Sequence, residues 1–331
     1  MLTKKQNLLE TIRGGHPDRY VNQFEYLSLV LDPVTAAGLG TVKKGGFFMN
    51  GWGVRMEFPQ DAPGPFPNNA EEYLVVKDIA KWRESVKEPP VVLPEEAWRS
   101  CVEQVNKIDR NETFVAPIIV PGIFDKLHYL MGMENTLINF YEEPECMLEL
   151  IDYLTDYEIR AAREIVDHIH PDAIFHHDDW GSQHSSILSP TMFEKFFVPA
   201  YQKIYGFWKQ NGVELIVHHN DSYSANLVPG MIKMGIDIWQ GAMTSNDIPK
   251  LVKQYGGQIS FHGNIDNHAI DHPDWSREEV QNETIRRVRE VGSKSYFIPG
   301  TVMGEPGSIF QEVYDIVSET ICNINRQEQQ T

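Results

Sequence analysis

A regular alternation that begins near residue 112 restricts the fold of this chain more than any other feature. Short apolar runs alternate there with longer segments whose apolar residues recur every three or four positions. The apolar runs predict strands at 114–120, 173–177, 214–218, 236–240, 258–262 and 295–299. The longer segments predict helices at 144–168, 190–210, 225–234, 247–255, 276–291 and 308–325. Strands that are apolar almost throughout are typical of a parallel sheet covered on both faces.

Strands and helices that alternate at this spacing predict an α/β fold with a parallel sheet. Six strand–helix units and an earlier strand near Glu25 approach the eight of a (β/α)8 barrel, so we expect a distorted TIM-type barrel. A doubly wound sheet is the alternative, but no G-x-G-x-x-G motif follows a predicted strand, which disfavours a dinucleotide-binding fold. We expect one domain over 1–331, with an N-terminal helix, first strand and irregular excursion in 1–110 and regular β/α units in 111–331.

The chain carries 47 Asp and Glu residues against 29 Lys and Arg residues, which gives a formal net charge of -18. Nucleic acids and anionic membranes bind basic surfaces, so this charge argues against both as partners. The N-terminal segment lacks the apolar stretch of a signal peptide, and no apolar run approaches the ~20 residues of a membrane span. The 3 cysteines are too far apart to suggest a disulfide framework, so we expect a cytoplasmic protein.

Polar side chains collect where the predicted strands end, which is where TIM-type barrels carry their function. The ends read His176-His177-Asp178-Asp179, His218-His219-Asn220-Asp221, Trp239-Gln240-Gly241, His262-Gly263-Asn264 and Pro299-Gly300-Thr301. Imidazoles and carboxylates at this density suit either a Zn²⁺-type site or metal-free general acid–base catalysis. Side chains alternate along a strand, so either His177 and Asp179 or His176 and Asp178 point inward, and the sequence leaves open which.

Short motifs, in their order and spacing, resemble the uroporphyrinogen decarboxylase superfamily across most of the chain. The motifs that resemble its methyltransferase-like branch are the G-x-x-P-D-R-x-P-like segment 14–21 and the W-G-V segment at 52–54. Those similar to later family motifs are D-D-W-G at 178–181, S-P at 189–190 followed by Phe193, G-N-I-D at 263–266, and P-G at 299–300. The resemblance implies a distorted (β/α)8 barrel, in agreement with the alternation of strands and helices.

The superfamily contains two main chemistries: cofactor-free decarboxylation of a tetrapyrrole with many carboxylates, and methyl transfer to or from cobalamin on a separate corrinoid protein. The arginine-rich R-Q-x-G-R motif of the decarboxylases is absent, since residues 16–23 read H-P-D-R-Y-V-N-Q, and Gly300-Thr301-Val302 replaces the late G-H-G. A strongly anionic chain without those arginines is a poor host for a polyanion. Thiol-activating methyltransferases bind zinc through H-x-C and a late cysteine. Residues 218–220 read H-H-N and Thr301 stands at the late position, which disfavours a thiolate zinc site.

The resemblance therefore implies an enzyme that moves a methyl group between a small methylated, methoxy-aromatic substrate and the cobalamin of a partner corrinoid protein. A methyl group leaves oxygen only if the oxygen is stabilised as it departs, and a polar mouth would supply this by protonation or Lewis-acid contact. The residues we expect to be catalytic are His177, Asp178, Asp179 and His262. Those expected to hold a metal, with Zn as the candidate, are His218, His262 and Asp179. Those expected to bind the substrate are Trp52, Trp180, Asn220, Gln240 and Asn264.

Two other functions stay open for this sequence. One is a decarboxylase of the same superfamily that acts on a smaller carboxylate substrate. The other is a barrel that binds a ligand without catalysis. The resemblance also implies a homodimer.

Overall fold

A computed structural model describes residues 1–62, 64–304 and 306–330 of the protein. Its strands are β1 Leu27–Val30, β2 Gly46–Met49, β3 Arg55–Phe58, β4 Phe66–Pro67, β5 Phe114–Ile119, β6 Ala173–His177, β7 Leu215–His219, β8 Ile238–Ala242, β9 Ser260–Ile265 and β10 Phe297–Thr301. Its α-helices are α1 Lys4–Arg13, α2 Pro33–Leu39, α3 Trp82–Ser85, α4 Glu95–Val105, α5 Ile123–Met131, α6 Met133–Glu142, α7 Pro144–Ile169, α8 Pro190–Phe196, α9 Val198–Gln210, α10 Val228–Met234, α11 Ile248–Tyr255, α12 Asn267–Ile270, α13 Arg277–Val291 and α14 Gln311–Glu328.

Seven parallel strands form the central sheet, in the order β1-β5-β6-β7-β8-β9-β10. Helices cover it between successive strands, which confirms the predicted TIM-type architecture, and the described part of the chain supplies seven barrel strands rather than eight. The two outermost strands, β1 and β10, meet across a seam bridged by Gln23, just before β1. Its backbone N–H donates to the Pro299 carbonyl at 3.2 Å, and its side-chain oxygen accepts from the Thr301 N–H at 3.2 Å.

The core has two layers because each strand buries both of its faces. Side chains on one face fill the barrel interior, among them Ala173 and Phe175 of β6 and Val217 of β7. Side chains on the other face, such as Ile174 and Ile216, pack against the helices in a larger cluster. The carboxyl ends of all the strands therefore open at one mouth, and each residue there points either into the barrel or into the helix layer.

For most strands, the predicted ends lie within about two residues of the observed ends. One predicted helix is two helices in the structure. The segment 190–210 forms α8 and α9, which meet at Phe197, and α9 has a proline in its first turn. The N-terminal 110 residues are more regular than expected, since β2, β3 and β4 form an antiparallel sheet and α4 buries Trp98, Cys101 and Val105. Among the described residues, no helix is long and apolar enough to span a membrane.

Candidate active site at the barrel mouth

Strand alternation selects one of the two residue pairs at the end of β6. Ala173 and Phe175 lie in the interior cluster, so His177 on the same face points into the barrel mouth. His176 follows Ile174 into the helix layer and is fully buried there. The sequence left this choice open, and the structure resolves it in favour of His177 and Asp179.

Three side chains meet at the mouth, and we call His177, Asp179 and His219 the mouth cluster. One ligand-type atom from each of them lies within 4.8 Å of the others. His177 Nε2 and Asp179 Oδ2 are 3.0 Å apart, and the rings of His177 and His219 lie 4.5 Å apart, edge to face. His177 and His219 are register partners on neighbouring strands, which is why the sheet brings them together.

Neighbouring residues hold the mouth cluster in place. The His219 Nδ1 faces Gln240 Oε1 at 2.5 Å, and the Gln240 amide donates to the Met303 carbonyl at 3.0 Å. Since an amide oxygen can only accept, Nδ1 carries the proton, and Nε2 keeps its lone pair. The backbone N–H of Asp221 donates to Asp179 Oδ1 at 3.1 Å. Gln240, predicted to contact substrate, therefore orients a histidine in this structure.

Helix α5 adds two residues that the sequence analysis missed. Asp125 Oδ2 lies 3.9 Å from His177 Nε2, and Asp125 Oδ1 lies 3.1 Å from His128 Nε2. Both residues lie in the first two turns of α5, the helix that follows β5, and are three positions apart on one face of it. The pair D-x-x-H after a predicted strand was the signal that could have revealed them.

The three side chains of the mouth cluster differ in their charge at neutral pH. Burial disfavours a charged His177, but the carboxylates of Asp179 and Asp125 outweigh it and raise the pKa of His177 to about 10. Burial alone would raise the pKa of Asp179, whereas the His177 charge lowers it well below its usual range. Burial and the charge on His177 lower the pKa of His219 to about 4. At neutral pH, His177 and Asp179 are thus an ion pair beside a neutral His219.

A cavity of about 350 Å³ opens beside the mouth cluster. Its lining includes Asp179, Ser182, Asp221, Asn267, His268 and Met303. Burial and the nearby Asp179 raise the pKa of Asp221 to about 8. None of the residues that line this cavity in the described part of the chain is a lysine or an arginine.

Asp178 lies behind the mouth, where it caps α5. Its carboxylate accepts the backbone N–H groups of Phe124 and Asp125 at 3.0 and 2.8 Å. It also accepts the Trp180 indole N–H at 2.9 Å and the Tyr201 hydroxyl at 2.5 Å. Asp178 therefore positions the helix that brings Asp125 to His177, rather than facing the cavity.

The predicted metal ligands His218 and His262 lie apart from Asp179 in the structure. His218 lies in the helix layer, where its ring stacks on Trp180 at 4.1 Å and its Nδ1 pairs with the Tyr205 hydroxyl at 2.7 Å. His262 lies inside the barrel, with Nδ1 3.1 Å from the Tyr26 hydroxyl. Burial, helped by His219, lowers the pKa of His262 to about 3. Neither histidine belongs to the mouth cluster.

The structure places the other predicted substrate residues away from the cavity lining. Asn264 adopts a left-handed backbone conformation (φ 66°) after Gly263 and donates to the Arg287 carbonyl, so strand alternation fails at this point. Asn220 is buried and donates to the Ser224 hydroxyl at 2.8 Å. Trp180 is fully buried, and Trp52 packs edge-on against Tyr157 of α7 at 4.7 Å.

A zinc site built from thiolates does not fit this mouth. The cysteines Cys101, Cys146 and Cys322 lie in α4, α7 and α14 rather than at the strand ends. The donors that the structure brings together are imidazole nitrogens and a carboxylate oxygen. These are the ligands of harder divalent metals, and Zn²⁺ also accepts them.

Comparison with known proteins places the chain among decarboxylase-like barrels. The model of the uroporphyrinogen decarboxylase (URO-D) family matches residues 49–307. No curated protein matches the chain in sequence. Among solved structures, a methyltransferase from Methanosarcina mazei has a TM-score of 0.67 at 12% identity, with 100% of each chain covered. At this identity the likeness shows the fold alone.

Two further solved structures share much less. A GH18 chitinase from Pseudoalteromonas aurantia has a TM-score of 0.36 at 11% identity and covers 70% of this chain and 84% of its own. A 3-keto-D-glucoside 4-epimerase from E. coli has a TM-score of 0.36 at 10% identity and covers 67% and 84%. Scores this low do not bear on the function.

Proposed function

Because this chain belongs to the uroporphyrinogen decarboxylase family, we propose that it is a methyltransferase that works with a corrinoid protein. It moves a methyl group between a small methylated substrate, a methoxyarene, and the cobalamin of that partner. The methyltransferase from Methanosarcina mazei shares the fold over its full length, so methyl transfer is one activity that this fold carries.

The charge of the cavity is the observation that carries this proposal. The lining includes the carboxylates of Asp179 and Asp221, and its described residues include no lysine or arginine. A substrate with several carboxylates would find as its cation only His177, whose charge is already paired with Asp179. A methoxyarene is uncharged, and it is small enough for a cavity of about 350 Å³.

The mouth cluster is where the departing oxygen is stabilised. The bond between methyl carbon and oxygen breaks with its electron pair left on oxygen, and the reduced cobalamin of the partner would supply the electron pair for the new bond to carbon. Positive charge held at His177, beside the cavity wall formed by Asp179, lowers the energy of that oxygen. Gln240 fixes the ring of His219, so the cluster keeps its geometry while the substrate enters and leaves.

A direct assay tests the proposal. Incubating the protein with reduced cobalamin and a series of methoxyarenes is expected to give the absorption spectrum of methylcobalamin. His219→Ala should lower the rate by roughly 100-fold, since it removes part of the stabilising cluster. His184→Ala, which changes an exposed histidine in the loop after β6, should keep the rate.

Two results would contradict methyl transfer. One is that no donor in the series yields methylcobalamin. The other is release of carbon dioxide from a carboxylate substrate with no cobalamin present, which would favour the decarboxylase alternative.

A further inference from the structure

The mouth cluster brings three ligand-type atoms close enough together to converge on one metal ion. His177 Nε2 and Asp179 Oδ2 are 3.0 Å apart, and an atom of His219 lies within 4.8 Å of both. Ligands about 2.1 Å from a metal on adjacent corners of an octahedron lie about 3.0 Å from each other. Replacing the proton shared by His177 and Asp179 with a metal ion would therefore require little movement.

The remaining atoms of two of these residues are held by partners outside the cluster. Gln240 Oε1 accepts a hydrogen bond from His219 Nδ1–H, and the Asp221 N–H donates to Asp179 Oδ1. His219 Nε2 and Asp179 Oδ2 are thereby left for a metal, as expected when outer residues orient metal ligands. Gly304 also leaves room, since a Cβ there would lie 3.1 Å from His219 Nε2.

We propose that His177, Asp179 and His219 bind a first-row divalent metal ion as a two-histidine, one-carboxylate set. His177 and Asp179 stand two positions apart on β6 and the loop after it, and His219 ends the neighbouring strand β7, so all three ligands approach from one side. Asp179 also lines the cavity of about 350 Å³, which is the route by which water or a substrate oxygen would reach the ion. Such sets with open positions hold ions of the Fe²⁺, Mn²⁺ and Co²⁺ type in an octahedral arrangement.

This ligand set differs both from a thiolate zinc site and from the set predicted by sequence. The inference deepens the proposed function, because a metal ion would be the Lewis acid that stabilises the departing oxygen. Metal binding is measured on the protein alone, without substrate or cobalamin. A chain that binds metal but forms no methylcobalamin would keep this inference and remove the proposed function.

Cobalt(II) is the probe that tests the site. The protein is stripped with a chelator and titrated with Co²⁺, which is followed by calorimetry and by visible absorption. We expect one Co²⁺ per chain, with the weak absorption bands of a six-coordinate ion. His177→Ala, Asp179→Ala and His219→Ala should each weaken binding by more than about 100-fold, and Gln240→Ala by about 10- to 100-fold.

Matched controls separate metal binding from folding. His184→Ala should bind Co²⁺ as the parent does, and so should His218→Gln, which changes the neighbouring residue on the opposite face of β7. Thermal unfolding of each variant shows whether the fold is kept. The inference is overturned if Co²⁺ does not bind at saturation, if binding survives the three ligand substitutions, or if the spectrum shows the intense bands of a four-coordinate or thiolate-bound ion.

Discussion

Asp178 shows how much one buried carboxylate can organise. It is fully buried and accepts four hydrogen bonds, two from the start of α5 and two from Trp180 and Tyr201. Burial, with help from Asp125, raises the pKa of Asp178 to about 8, whereas the hydrogen bonds from Tyr201 and from the start of α5 act to lower it. Its neighbour Asp179 faces the mouth instead, so two adjacent aspartates serve different purposes.

Asp178→Ala is expected to lower the free energy of unfolding by about 3 kcal/mol or more, because several buried donors lose their acceptor. Urea unfolding followed by circular dichroism measures this change. Asp179→Ala is the matched control and should cost clearly less, since Asp179 is partly exposed and accepts fewer hydrogen bonds. Equal losses for the two variants would mean that Asp178 does not support α5.

The sequence located the mouth residues but could not decide which of them point inward. Phe175 and Ile174 are both apolar because both faces of β6 are buried, so the pattern has no polar side that marks solvent. The orientation becomes fixed only when the sheet curls. The prediction that Asn264 binds substrate failed for another reason. The left-handed backbone at Gly263 and Asn264 interrupts the alternation of side chains on which that prediction depended.

Among the helices, α5 is the one that the site depends on most. Asp178 holds its first turn, and Lys126 pairs with Glu158 of α7 at 2.6 Å. The two side chains are 6% and 3% exposed, so the pair is effectively buried. Burial raises the pKa of Glu158, and Lys126 opposes this shift. Together the two contacts fix the helix that presents Asp125 and His128 to the mouth.

A double-mutant cycle on this pair tests the second contact. Lys126→Met and Glu158→Leu should each lower the free energy of unfolding by about 3–5 kcal/mol, since each leaves a buried charge without its partner. The double variant should lose much less than the sum of the two. Chemical denaturation of all four proteins gives the values, and additive losses would show that the two charges do not interact.

Long periodic elements were predictable, and short ones were not. The helix predicted at 144–168 is α7, with the same start and one more residue at its end. Helix α5 was missed because Ile123–Met131 is nine residues long and apolar at most positions, which suits a strand as well as a helix. The strands β2, β3 and β4 were missed because they are at most four residues long and pair mainly with one another.

The charge of -18 acts on any substrate that approaches the mouth. The described residues that line the cavity include no lysine or arginine to offset this overall negative field. We expect an uncharged methoxyphenol to be used with a kcat/KM at least about 10-fold above that of the matching methoxybenzoate at low salt.

The dependence of kcat/KM on salt tests whether electrostatics causes the preference for the uncharged donor. Raising the ionic strength from about 0.01 M to about 0.15 M shortens the screening length from about 30 Å to about 8 Å, so the gap between the two donors should narrow. The rate with the uncharged donor serves as the control and should change little. A preference for the carboxylate donor would contradict the electrostatic argument.

The seam between β1 and β10 joins parts of the chain that are made far apart in time. Tyr20 and Asn325, which are 305 positions apart, exchange two hydrogen bonds at 2.8 and 3.0 Å, and Gln23 reaches Pro299. Ribosomes add about 5–20 residues per second, so Tyr20 waits roughly 15–60 s for its partner. During that interval the growing chain exposes the interior face of an unclosed barrel, and β1 is an edge strand without a neighbour on that side. Its protection from mispairing in the cell therefore depends on how quickly β10 and α14 leave the ribosome.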